Sequence, residues 1–169
     1  MKRLLLITIV LAIVVCLVVT PVFAAGKSGQ AGKSNIGLLY LYEKNPSDWT
    51  IVDGGSWGKM KYNLSGPTFD CVFNGHGLQP SGSYTLIYYG DATNNDVWPY
   101  ATCIASGTAD DEGDIHLAGS FDFGYGLSAA KIWLVLSSDV NCDGGVMTGW
   151  HPASYLFEHN LISYDDTDI

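Results

Sequence analysis

The chain has 169 residues, with 17 acidic side chains against eight Lys and Arg, a net charge of −9 and a hydrophobic content of 47%. An acidic balance of this size repels a phosphate backbone, so nucleic acid is not expected as a partner. The length and the apolar content suffice for one domain with its own core, and we expect a single domain.

The N-terminus has the pattern of a secretory signal peptide. Two basic residues precede an apolar run over 4–19, and small residues at 22–24 follow it as a cleavage site. We therefore predict that residues 1–24, including Cys16, are a removed signal and that the secreted chain carries six basic and 17 acidic residues, a net charge of −11. An uncleaved membrane anchor is the alternative, because the stretch 4–24 approaches the roughly 20 residues that span a bilayer. Either alternative predicts an extracellular or cell-surface location.

The remaining chain predicts an all-β domain. Residues 25–35 are small and polar without periodicity, which predicts a flexible arm, and 165–169 form an acidic tail. Between them, over 36–164, short strand-like segments alternate with turns rich in Gly, Asn and Asp. The predicted strands are 36–42, 57–63, 69–75, 84–90, 100–108, 113–122, 130–137 and 155–163. Seven or eight such strands favour an antiparallel β-sandwich of the immunoglobulin-like or jelly-roll type.

Three of these strands carry no charge. Residues 36–42, 84–89 and 132–136 are apolar or aromatic at nearly every position. A strand that exposes one face to water alternates in polarity, so continuous apolar runs indicate that both faces are covered. A short chain has little of its own with which to cover them, and their edges lack protective charges or prolines. We therefore expect self-assembly into a homo-oligomer or polymer, with central strands of a well-covered monomer as the alternative. The residues expected to mediate assembly are Leu39, Leu41, Ile87, Tyr89, Trp133 and Val135.

Three cysteines remain after the predicted signal. Cys71 stands in step with Phe69 and Phe73, as a small core residue would. This position leaves Cys103 and Cys142 as the predicted disulfide. The alternative is that one thiol cross-links neighbouring molecules in a durable extracellular assembly.

A local signature supports the fold class. The segment Leu78-Gln79-Pro80-Ser81-Gly82-Ser83-Tyr84 resembles the Leu-x-Pro-x-x-x-Tyr turn of fibronectin type III and related immunoglobulin-like domains. This resemblance implies that the Tyr84 hydroxyl bonds back to the turn and that Leu78 fills the core. Residues 105–115 are similar to a hairpin of many secreted sandwich modules, with an acidic turn closed by Gly113.

Four segments, 57–60, 73–78, 130–136 and 155–158, are together similar to small secreted β-rich proteins of methanogenic archaea. Some proteins of this type belong to the extracellular sheath or surface layer. The resemblance implies a location in the cell envelope, and the sheath class suits the apolar strands, so we expect a non-enzymatic structural protein that assembles there.

One segment has part of a calcium-loop pattern. Asp139, Asn141 and Asp143 place oxygen side chains at alternate positions before Gly144, as in the first half of such a loop. The twelfth position is Trp150 instead of a bidentate Glu, so an ordinary turn rich in Asp and Asn is the alternative. Calcium is the one cofactor that the sequence indicates.

The sequence gives no catalytic constellation. The four histidines lack paired metal-ligand spacing, and no Gly-x-Ser-x-Gly motif is present. We therefore expect no enzyme activity. Asn63-Leu64-Ser65 is a glycosylation sequon in a predicted turn.

The tryptophans indicate a second function. Trp49, Trp98 and Trp150 lie in predicted loops, whereas Trp57 and Trp133 alternate with small or apolar residues and are expected to be buried. Exposed aromatic side chains on a β-sandwich form the platform on which carbohydrate-binding modules stack sugar rings. The alternative is that the three loop tryptophans cap the ends of the core. An extracellular module that binds a carbohydrate, a cell-surface polymer or a protein is thus the alternative to a structural protein.

Overall fold

A computed structural model describes residues 34–90 and 98–169. The predicted signal peptide and most of the predicted arm lie outside these residues. In chain order the strands are β1 (Ile36–Tyr42), β2 (Trp57–Asn63), β3 (Ser65–Gly66), β4 (Phe69–His76), β5 (Ser83–Tyr88), β6 (Thr102–Thr108), β7 (Ile115–Phe121), β8 (Leu127–Ala130), β9 (Ile132–Leu136), β10 (Val140–Asn141), β11 (Val146–Met147), β12 (Leu156–Glu158) and β13 (Ile162–Asp166). Two single-turn 3-10 helices cover Ser137–Asp139 and Pro152–Ser154. No helix within the two described ranges is long and apolar enough to cross a membrane.

Eight strands form one antiparallel sheet in the order β6-β5-β9-β12-β1-β2-β4-β7. The two edge strands, β6 and β7, approach each other so closely that a Cβ atom added to Gly119 would lie 2.8 Å from the carbonyl oxygen of Ile104. The sheet therefore curls until it nearly closes around one core. Strands β10 and β11 form a small hairpin, and β13 joins β8 and β3, the latter in parallel. The predicted all-β antiparallel class is confirmed.

The longer strands follow the sequence pattern closely, with one correction, and the short strands β3, β8, β10 and β11 were not predicted. The ends of the first seven predicted strands agree with the structure to within about two residues. The eighth prediction, 155–163, is wrong as a single strand, because β12 and β13 are separate and pair with different partners. Strand β13 also continues to Asp166, which is buried, so the last strand enters the segment predicted as an acidic tail.

The main core lies inside the curled sheet. Leu39 and Leu41 on β1 are fully buried, whereas Ile36 and Leu38 on its other face are about half exposed. Because side chains alternate across a strand, β1 has one dry face and one wet face. The expectation of two covered faces is therefore wrong for β1, whose apolar composition conceals this alternation.

Strands β5, β9 and β12 are covered on both faces, as predicted for 84–89 and 132–136. Alternate residues face the main core, and the others form a second apolar cluster on the outer face of the sheet. The second cluster consists of Ile87, Ala101, Trp133, Val135, Val140, Met147, Tyr155 and Phe157. Its cover comes from Ala101 and the segment 140–155 of the same chain. The expectation that other molecules supply this cover is corrected accordingly.

The residues predicted to mediate assembly lie mostly inside the molecule. Leu39, Leu41, Ile87 and Val135 are fully buried, and Trp133 is 8% exposed. Tyr89 is the one residue of this group that is partly exposed. Buried side chains cannot contact a second copy, so they do not form the assembly surface that the sequence predicted.

The turn before β5 has the predicted tyrosine geometry. The Tyr84 hydroxyl accepts a hydrogen bond from the backbone N–H of Gln79 at 3.2 Å, and Leu78 is buried. In the acidic turn between β6 and β7, the Asp110 carboxylate accepts hydrogen bonds from the N–H groups of Glu112 and Asp114. Gly113 closes that turn with φ +83°, a conformation that favours glycine.

The predicted Cys103–Cys142 disulfide is present and joins β6 to the segment that follows β10, across 39 residues. Cys71 is the free cysteine of the described residues, and it is buried on β4. Burial raises the pKa of the Cys71 thiol to about 11, which keeps it protonated and unreactive at neutral pH. Its position therefore does not favour a cross-link between molecules.

The alternation on β1 provides a matched pair of substitutions. Leu39→Ala should lower the free energy of unfolding by about 2–5 kcal/mol, because it leaves a cavity in the core. Leu38→Ala, one residue away on the wet face, should change it by less than about 0.5 kcal/mol. Urea denaturation of both variants measures the difference, and equal effects would contradict the burial pattern.

The disulfide should contribute about 3–4 kcal/mol on the chain-entropy argument. We expect the double variant Cys103→Ala, Cys142→Ala to unfold at a lower temperature than the parent protein and to be insensitive to reductant. The parent protein and a Cys71→Ala variant should both lose stability on reduction. A melting temperature of the parent protein that ignores reductant would show that the bond has no stabilising role.

Candidate functional site

A cleft of about 630 Å³ opens on the outer face of the sheet, beside the second apolar cluster. Its lining combines six aromatic side chains with three charged ones. The lining residues are Lys44, Trp49, Tyr89, Trp98, Lys131, Trp133, Trp150, Phe157 and Glu158. We call this feature the aromatic cleft.

The buried part of the aromatic cleft comes from the sheet itself. Trp133 on β9 and Phe157 on β12 are opposite each other in the ladder, with ring centroids 5.3 Å apart. Tyr89, directly after β5, stacks on Trp133 at 4.2 Å with nearly parallel rings. Adjacent strands hold these three rings, so the floor of the cleft is rigid and apolar.

Three tryptophans from separate loops form the rim. Trp49 lies between β1 and β2, Trp98 precedes β6, and Trp150 follows β11; each is between 42% and 49% exposed. The ring centroid of Trp150 is 6.4 Å from that of Trp49 and 5.4 Å from that of Trp98. The prediction that these loop tryptophans are exposed is confirmed. Trp57, predicted to be buried, is 40% exposed on β2, so that prediction is wrong.

Asp139 holds the loop that carries Trp150. Its backbone carbonyl accepts hydrogen bonds from the N–H groups of Thr148 (2.7 Å) and Gly149 (3.1 Å). Its buried carboxylate accepts one from the Tyr155 hydroxyl and pairs with His151 Nδ1 at 2.8 Å. The residues on both sides of Trp150 are therefore anchored to one residue, through its backbone carbonyl before Trp150 and through its carboxylate after it.

The surroundings of Tyr155 fix the direction of this anchoring bond. Burial, together with the hydrogen bond to Asp139, raises the pKa of the Tyr155 hydroxyl, which therefore stays protonated and donates. A Cβ atom at position 149 would clash with the Asp139 carboxylate, so glycine is required there for the loop to pack this closely.

The predicted calcium residues have different roles in the structure. The Asp139 carboxylate is occupied by Tyr155 and His151, and the Asn141 side-chain oxygen accepts the N–H of Gly144 at 3.0 Å within an exposed turn. Asp143 is exposed in the same turn. In the described part of the chain, no group of three or more His, Cys, Asp or Glu could hold a metal ion. Calcium binding by this segment stays a prediction without geometric support.

The predicted glycosylation residue holds the connection between β2 and β4. The Asn63 amide nitrogen donates to the carbonyl oxygens of Ser65 (3.2 Å) and Thr68 (2.8 Å), and its oxygen accepts the N–H of Asp70. A glycan at Asn63 would have to replace part of this network.

Charged groups give the aromatic cleft a polar side. Lys44 Nζ donates to the backbone carbonyl of Glu158 at 2.9 Å, and Lys131 Nζ lies 5.6 Å from the centroid of the Tyr89 ring. Burial raises the pKa of the Glu158 carboxyl, and this effect outweighs the opposing effects of a backbone hydrogen bond and of the two ammonium groups. Trp133 Nε1 and Glu158 Oε2 are buried without a close hydrogen-bond partner among the described residues.

Comparison of the chain with protein family models, with curated proteins and with solved structures finds no match. The resemblance to secreted archaeal proteins therefore stays a prediction. The functional argument depends on the geometry of this chain.

Sequence reasoning identified the rim but not the polar side of the aromatic cleft. Lys44, Lys131, Phe157 and Glu158 were not predicted as site residues. Two of them had a detectable signal, because Lys131 directly precedes the charge-free run of β9 and Lys44 closely follows that of β1. A lysine at the end of an apolar strand lies close to any binding site on the outer face of that strand.

The ionised carboxylate of Glu158 should lower the stability of the fold at neutral pH. Because its pKa is higher in the folded than in the unfolded chain, the folded state is favoured when Glu158 is protonated, and stability is lost as pH rises through the interval between the two values. Glu158→Gln should therefore raise the melting temperature at pH 7. The gain should vanish below about pH 4, where the carboxyl is protonated in both states. Thermal unfolding across pH measures this, with the exposed Glu112→Gln as control; a Glu158→Gln variant that is less stable at pH 7 would contradict it.

Proposed function

We propose that this protein is a secreted, non-catalytic binding module that holds a saccharide in the aromatic cleft. The observation that carries the proposal is the convergence of three exposed tryptophans, from three separate loops, over a buried aromatic floor. Contiguous exposed aromatic surface of this kind marks a binding site in a soluble domain.

The chemistry of the aromatic cleft suits a sugar. The apolar C–H faces of a pyranose ring pack on indole rings, while its hydroxyl groups need donors and acceptors nearby. Trp49 and Trp150 supply ring surfaces at the rim. The Lys44 ammonium group supplies N–H donors in the same cleft. A protein ligand would need a wider surface than this cleft offers.

The rigidity of the rim also supports binding. Hydrogen bonds to Asp139 fix the backbone before Trp150 and the His151 side chain after it, and the disulfide ties the preceding turn to β6. A side chain that is already in place loses little conformational entropy when a ligand binds, which favours affinity.

Secretion belongs to the same proposal. Disulfides persist in oxidising compartments, so the Cys103–Cys142 bond is consistent with export directed by the predicted signal peptide.

Assembly in the cell envelope, the role predicted from the charge-free strands, loses its main argument. Those strands are covered by the chain itself or expose one face only, so they require no second copy. Light scattering over a concentration series tests it separately, and a monomer at every concentration would overturn it.

Trp150→Ala should lower the affinity for a bound saccharide by at least about tenfold, because Trp150 stands at the centre of the rim. Trp98→Ala removes a rim ring with fewer structural contacts and should weaken binding in the same direction. Trp57→Ala is the matched control, since Trp57 is equally exposed but lines another depression. A glycan array followed by isothermal titration calorimetry measures these effects. Saccharide binding that survives loss of Trp150 and Trp98, in variants with unchanged melting temperatures, would place the site elsewhere.

A further inference from the structure

The aromatic cleft is locally basic in a strongly acidic protein. The described residues contain four lysines and no arginine, namely Lys44, Lys59, Lys61 and Lys131, and two of these four line the cleft. Glu158 is the single carboxylate in the lining. The local charge is therefore +1, whereas the whole chain carries −9.

Neither ammonium group of the aromatic cleft is neutralised by a close carboxylate. The close contacts between a basic and an acidic side chain within the described residues involve His76 and His151, not Lys44 or Lys131. Lys44 uses one of its three N–H donors on the carbonyl of Glu158, and Lys131 contacts the face of Tyr89. Both side chains therefore keep donors for a further partner.

This inference rests on the saccharide-binding function proposed above and names the class of saccharide. We propose that the ligand is an acidic saccharide, whose carboxylate or sulfate group binds to Lys44 and Lys131 while its sugar rings stack on the rim tryptophans. An anionic group would supply the missing counter-charge. A charge-assisted hydrogen bond to an ammonium group is also stronger than one between neutral groups.

The same charges argue against a cationic ligand. An aromatic cage alone would suit a quaternary ammonium group. Lys44 and Lys131 would repel such a cation at short range, and Glu158 balances only one of them. The negative charge of the rest of the protein has less weight, because at physiological salt charges more than about 8 Å away are screened.

Substitution of Glu158 distinguishes the ligand classes by the direction in which the affinity changes. Its carboxylate lies in the lining together with the two ammonium groups and opposes an anionic ligand. Glu158→Gln should therefore strengthen binding of an acidic saccharide, whereas a role of Glu158 in binding neutral hydroxyl groups or a cation would make the same substitution weaken it.

The experiment is isothermal titration calorimetry of the purified protein with oligogalacturonate and with its methyl ester, which has the same sugar skeleton without charge. A sulfated galactan oligosaccharide forms a further arm and distinguishes sulfate from carboxylate. We expect the acid to bind at least about tenfold more tightly than the ester, and we expect this preference to shrink between about 20 mM and about 500 mM salt.

Lys131→Gln is the primary variant, because the Lys131 ammonium makes no hydrogen bond within the described residues and its loss should leave the fold intact. It should lower the affinity for the acid by about tenfold and leave that for the ester unchanged. Lys59→Gln is the matched control, since Lys59 makes the same kind of contact, 5.7 Å from the Tyr40 ring, but does not line the cleft. Melting temperatures verify that each variant is folded.

The outcomes separate the two proposals. Acid and ester bound equally, with loss of both in Trp150→Ala, would overturn the acidic class and leave saccharide binding intact. A sulfated ligand bound in preference to its neutral form, with the carboxylate ignored, would support the inference and assign the group as sulfate. Choline bound more tightly than any saccharide, or no saccharide bound at all, would overturn both.

Discussion

The architecture depends on the burial of both faces of β5 and β9. An apolar strand at the centre of a sheet is stable only when each face packs against something, and each large side chain so buried contributes roughly 1.5–3 kcal/mol. One face is covered because the eight-stranded sheet curls around a common core. The other is covered because the chain after β9 turns back over the sheet. Without that return, Ile87 and Val135 would be exposed to water, and the sheet would need a partner.

The segment that returns over the sheet, residues 140–155, is polar and rich in turns. A small number of contacts therefore hold it in place. Tyr155, Val140 and Met147 supply its apolar contacts with the sheet. The disulfide ties it to β6, and the Asp139 carboxylate satisfies the Tyr155 hydroxyl within it. A buried carboxylate is tolerated only when it is hydrogen-bonded, so Asp139 and its partners fold as a unit. The aromatic cleft opens where this cover ends, which leaves part of the Trp133 and Phe157 floor accessible from one side.

The sequence was informative where the signal is local and silent where it depends on how segments fold together. The first seven strand positions, the Tyr84 turn and the disulfide follow from short patterns, and all three agree with the structure. The charge-free run of β9 correctly indicated two covered faces, but nothing in 140–155 distinguishes a loop that lies over a sheet from one that faces water. The run of β1 was misread because Ile36 and Leu38 are apolar yet exposed. When exposed positions of a strand are also apolar, the sequence does not show the alternation of polar and apolar residues from which strand faces are predicted.

For the candidate site, too, the sequence was informative about local features and silent about how distant segments come together. The loop positions of Trp49, Trp98 and Trp150 indicated exposure, yet 101 residues separate the first from the last, and only the folded chain brings them together. Glu158 is a residue of the cleft that the stability of the fold does not explain. Burial raises its pKa, and a neutral side chain would suit the fold better, so stability alone gives no reason for a carboxylate there. Two lysines without an ion-pair partner among the described residues, beside a single carboxylate in an aromatic cleft, leave a positive charge that a polar, anionic ligand would complete.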